Sequence, residues 1–181
     1  MTNPEGLAGR SAGAGRRGRA IAAIRAAAPT WPVALAGSAV WACLMAASAA
    51  GGVSLSGWQT TAKITEVTLV FAVGGFLAFP LGLIAAGLLS RDARPEPRFA
   101  AAFLALAFAT IVLTAGVYAM QYRFYYARWH ADAFTPTWML QFLVTTMVAY
   151  LQFAVSGVRL YFPIGFLSLF IAAAWFARRP R

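Results

Sequence analysis

Charge is scarce in this chain, and negative charge scarcer still. Only 11% of the residues are charged, and five of those are acidic. A soluble domain carries roughly 25% charged residues. There is one cysteine, Cys43, and one histidine, His130. A lone cysteine excludes an intramolecular disulfide. A lone histidine excludes haem held by two histidines of this chain. Cys43, His130 and the acids are also too scattered for a zinc or copper cluster. The sequence has no glycine-rich phosphate loop, no serine-centred nucleophile motif, no paired acidic motif and no CxxC. Intramembrane enzymes need at least two ionisable groups close together, and such groups lie almost wholly in the connections here. Catalytic residues, a metal and a cofactor are therefore not expected.

What the chain does have is apolar length. Of its 181 residues, 61% are hydrophobic. A small globule buries only about 70% of its unfolded surface, so no soluble fold of this size could hide that much apolar area. Runs of roughly 18 or more apolar residues read as transmembrane helices. Five such segments are predicted, at about 30–53, 64–89, 99–121, 137–156 and 161–177. The fold class is an all-α integral membrane protein, a bundle of four or five transmembrane helices.

The net charge of +10 would suit a nucleic-acid partner if it formed a stripe on one face. It does not. Arg10, Arg16, Arg17, Arg19 and Arg25 lie in the N-terminal tail. Arg91, Arg94 and Arg98 share one loop, and Arg178, Arg179 and Arg181 end the chain. Charge that flanks spans sets orientation and touches anionic lipid. The predicted partners are thus an anionic bilayer and other membrane subunits, with no nucleic acid. If the tail and the "SRDARPEPR" loop are cytoplasmic, eight basic residues flank the first three spans inside and three outside. An inner-membrane, multi-pass protein with a cytoplasmic N-terminus follows as the expectation.

Residues 1–28 have no hydrophobic periodicity before Ile21 and read as a disordered basic tail. Their twin arginine is not followed by the hydrophobic run that a twin-arginine signal needs. "AASAAGG" would suit a signal peptidase, but the apolar segment is long for a signal core, which favours an uncleaved first helix. "VWACLMA" approaches a lipoprotein box, yet Trp41 is too bulky for it. Cys43 is expected to be a buried helix cysteine.

The segment 137–177 poses the main topological question. As one straight helix it would be about 60 Å long, twice the hydrocarbon thickness of about 30 Å. Gly157 and Pro163 bracket Arg159, so a break is predicted between 157 and 163. Two crossings are favoured, with the C-terminus outside. Arg159 would then mark the inner end of the fourth span, among lipid headgroups.

Candidate functional residues are few. Gly74, Ala78, Gly82 and Ala86 recur every fourth residue, a spacing that lets helix backbones approach. Pro80 lies among them as a bend. Leu83, beside the ladder, is expected to face lipid. Gln141, Thr145, Gln152 and Ser156 share one face of the fourth segment and could line a substrate path. Glu66 is the one carboxylate within an apolar segment, three residues after Lys63. It reads as an interfacial ion pair or as an ion or proton site. His130 reads as an interfacial residue or a proton-handling one. The function expected is a non-catalytic subunit or scaffold of a larger inner-membrane transport or electron-transfer complex. The alternatives are a small transporter or transporter subunit with a polar path along one helix, and a membrane enzyme acting on a lipid or quinone.

Overall fold

The computed structural model describes residues 18, 19, 21–57, 60–91 and 93–179. Most of the tail expected to be disordered lies outside the described residues. Residues 21–27 are helical. Five longer helices follow: α1 (Trp31–Leu55), α2 (Thr61–Leu89), α3 (Pro95–Tyr126), α4 (Pro136–Gln152) and α5 (Ile164–Arg178). No strand occurs among the described residues, and four helical stretches are long and apolar enough to cross a membrane.

Local chemistry explains the boundaries. Proline stands in the first turn of α1, α3 and α4, where its missing N–H costs nothing. Thr60 and Thr135 cap α2 and α4 by accepting from the backbone N–H of Lys63 and Trp138. Just past the end of α1 the chain turns through Gly57, whose φ of 71° suits glycine.

The helices α1, α2 and α3 form an antiparallel row with α2 in the middle. Gly74, Ala78, Gly82 and Ala86 are all buried. A Cβ at Gly74 would collide with Thr114 of α3, and one at Gly82 would lie 3.1 Å from the Cα of Leu106. Gly75 serves the other neighbour: its Cβ would meet Met45 and Ala42 of α1. Leu83 is only 2% exposed, which corrects the expectation that it faces lipid. With partners on both sides, α2 buries a wide arc and the residue beside the ladder falls inside it. Cys43 is exposed rather than buried, because it points away from α2 on the outer side of α1. Some polar groups within the bundle tie helices together. The indole N–H of Trp41 donates to Thr110 Oγ1 at 3.1 Å.

One end of the bundle carries Arg25, Arg91, Arg94 and Arg98, and is called here the basic end. The other, with Lys63, the tyrosines of α3 and the 127–135 connection, is the aromatic end. Across the fourth segment the chain breaks where expected. A π-helical turn at Phe153–Gly157 passes into a 3-10 turn at Val158–Tyr161, and α5 begins after Pro163.

The direction of this segment departs from the expectation. Phe142 stacks with Arg123, and the Tyr161 hydroxyl approaches the Thr110 carbonyl at 3.4 Å. Nineteen residues of chain therefore pass only thirteen of α3, and α4 descends obliquely. α5 then continues the descent. Arg98 donates to the carbonyls of Phe176 (3.2 Å) and Arg179 (3.1 Å), which puts the end of α5 at the basic end. α4 and α5 thus run in the same direction, from the aromatic end to the basic end. The fifteen residues of α5 span only about 22 Å. The favoured reading, two crossings with the C-terminus outside, expects α5 to end away from the basic end, and the end of α5 instead lies against Arg98. A broken, slanted path uses up the extra length.

Candidate functional site

A concavity with a volume of about 890 Å³ opens at the aromatic end. The C-terminal end of α1, the start of α2, the last two turns of α3 and the broken region after α4 all contribute to it. Its polar lining includes Lys63, Glu66, Gln121, Tyr122, Gln152 and Arg159, and its apolar lining includes Val70, Phe71, Phe153 and Leu160. The Phe71 ring lies 5.7 Å from Phe153 and 4.8 Å from Tyr161. These three rings form a plug beneath the cavity. Below them, the close contact of Gly74 with Thr114 seals the α2–α3 seam.

Tyrosines supply one wall because they repeat along α3 at helical spacing. The rings of Tyr118 and Tyr122 are 6.2 Å apart, and those of Tyr122 and Tyr126 are 4.5 Å apart. α3 has 32 residues and is about 48 Å long. It exceeds the hydrocarbon thickness of about 30 Å, and tyrosine is a residue that favours the headgroup zone.

Lys63 Nζ lies 3.0 Å from Glu66 Oε2, with both side chains half exposed. The ion pair expected from the sequence thus exists, at the rim of the cavity. Such an exposed pair contributes about 0–1 kcal/mol. Arg159 lines the same cavity, which moves it from the expected inner end of the span to the aromatic end. Its neighbour explains why: Ser48 Oγ donates to the Leu160 carbonyl at 2.8 Å and accepts from the Gly165 N–H at 3.3 Å. This clamp holds the 158–165 turn against the C-terminal half of α1. Arg159 makes no ion pair among the described residues.

The expected polar path is split. Gln152 and Ser156 line the cavity. Gln141 Oε1 instead accepts from the Ala131 N–H at 2.9 Å, and the Thr145 hydroxyl donates to the Gln141 carbonyl at 2.7 Å. Those two stabilise the start of α4 and its connection. Glu66 borders the cavity and His130 does not. No group of three His, Cys, Asp or Glu able to hold a metal occurs among the described residues.

Sequence reasoning missed the tyrosine wall and Arg123. The Arg123 guanidinium stacks on Phe142 at 3.8 Å and on Trp138 at 5.1 Å, joining α3 to α4. Four-residue spacing of Tyr118, Tyr122 and Tyr126 was a readable signal. The Arg123 stack joins two consecutive helices across their connection and leaves no trace in helical spacing. The chain matches no family model, no curated protein and no solved structure.

Proposed function

We propose that this chain is a non-catalytic subunit of a larger membrane assembly for transport or electron transfer, in a bacterial inner membrane with its basic end in the cytoplasm. The observation that carries the reading is how the deep polar groups are used. Trp41 with Thr110 and Ser48 with the 160–165 turn join helices, and Ser168 bonds back to the Ile164 carbonyl within α5. The ionisable side chains Lys63, Glu66 and Arg159 meet only at one end, above a plug of aromatic rings. A continuous polar route across the bundle is missing among the described residues, which weighs against a transporter working alone. The distribution of arginine supports the orientation, since cytoplasmic flanks carry the positive excess.

Within α4 only Ala149 is buried. Its remaining surface is available to lipid or to a neighbouring subunit. The test is extraction of native membranes in mild detergent, followed by native electrophoresis and mass spectrometry of the band. Migration with defined partner polypeptides in fixed ratio is the expected result. A chain that runs alone and sustains solute uptake after reconstitution would overturn the subunit reading in favour of a transporter.

A further inference from the structure

The cavity at the aromatic end supports an inference that goes beyond the subunit reading and stands apart from it. We propose that it binds the phosphate headgroup of an anionic phospholipid, with Arg159 as the anion anchor.

Depth is the first argument. Leu160 is fixed to Ser48, which lies seven residues before the end of α1 at Leu55. That is about 10 Å below the helix end. The Arg159 side chain is exposed and reaches the cavity from this level, and ionisable groups based at membrane depth mark binding sites. Charge balance is the second. Glu66 is the one carboxylate in the lining and is already matched by Lys63. Arg159 therefore leaves the cavity one positive charge in excess. Neither Glu96 nor Asp132 lines it.

The third argument is the lining itself. Lys63, Gln121, Tyr122 and Gln152 offer donors to phosphate oxygens, while Phe71 and Leu160 are apolar. A free phosphate would satisfy the donors and leave the apolar wall unused. A lipid satisfies both, headgroup against the donors and chain against the wall. The volume of about 890 Å³ is in the range of sites for ligands of drug size, enough for a headgroup and the upper part of a chain.

The experiment uses the purified full chain in non-ionic detergent, titrated with dioctanoyl phosphatidylglycerol and read by intrinsic tyrosine and tryptophan fluorescence. Saturable binding is expected. Arg159→Gln should weaken it about tenfold, the usual effect of losing a charge-assisted contact. Arg159→Lys should fall between, because lysine keeps the charge and loses the two-pronged donor. Glu66→Gln should tighten binding several-fold by removing the opposing charge.

Equal affinity of wild type and a folded Arg159→Gln overturns the proposal. So does equal binding of dioctanoyl phosphatidylcholine. Displacement of the lipid by an equal concentration of inorganic phosphate marks a free-anion site and overturns the lipid assignment. If circular dichroism shows that Arg159→Gln does not fold, Glu66→Gln decides, and unchanged or weaker binding sinks the idea. All of this is measured on the isolated chain, so its failure is separate from failure of the subunit reading.

Discussion

A Cβ at Gly82 would lie 2.8 Å from the Leu106 side chain and 3.1 Å from its backbone. Leucine at that position must push α3 away from α2, at a cost of about 1–3 kcal/mol for an overpacked site. Leu83, one residue on, is 2% exposed. Its replacement by alanine opens a cavity and costs about 2–5 kcal/mol. Leu81 is 52% exposed, and Leu81→Ala should stay within about 0.5 kcal/mol. Unfolding titrations in detergent are therefore expected to separate Gly82→Leu and Leu83→Ala from Leu81→Ala, and not from each other. Equal stability of all three would show that α2 is not the central helix. The four-residue ladder could be read from the sequence because glycine is informative where backbones touch. Gly75 and Leu83 could not. Their burial depends on a second neighbour, and apolar residues surround α2 on every side, so no amphipathic contrast marks the second contact. Cys43 and Leu83 fail for the same reason. In lipid, an apolar residue can point either way.

The break between α4 and α5 was legible for local reasons. Gly157 and Pro163 weaken the helix around Arg159, and the structure replaces two regular turns by a π-helical and a 3-10 turn there. Where the two halves go is a long-range matter, set by Ser48 at one end and Arg98 at the other. The junction makes Ser48 the most consequential small polar residue of α1. Ser48→Ala leaves the Leu160 carbonyl and the Gly165 N–H without their buried partner, a loss of about 1–3 kcal/mol. Thermal unfolding in detergent should register that loss. A cysteine placed at Ser156, in a Cys43→Ser background, should also label faster with a water-soluble maleimide in the Ser48→Ala variant. An unchanged labelling rate and melting temperature would mean that the turn is held by ring packing alone. The Phe71, Phe153 and Tyr161 cluster is then the remaining candidate.

Among the described residues α1 starts and α5 ends at the same end of the bundle, and one residue ties these two ends together. Arg98 starts α3 at the basic end, donates to the Phe176 and Arg179 carbonyls, and lies 5.5 Å from the Phe176 ring centroid. It caps the last turn of α5, whose unsatisfied carbonyls carry partial negative charge that a cation stabilises. The arginines near the end of α5 thereby join those of the 91–98 region, so the positive residues at the C-terminus fit the orientation rule instead of opposing it. A reporter inserted at Arg94 and one fused after Arg181 are accordingly expected to read the same side, and one inserted near Phe134 the opposite side. Arg98→Ala removes the cap and both hydrogen bonds, a loss of about 1.5–3 kcal/mol for one bond to a charged group. It should make the fusion after Arg181 more sensitive to protease added from that side, without inverting the reporter at Arg94. Opposite readings at Arg94 and after Arg181 would show that α5 turns back on itself. The common direction of α4 and α5 would then be wrong, and with it the placement of Arg159 at the aromatic end.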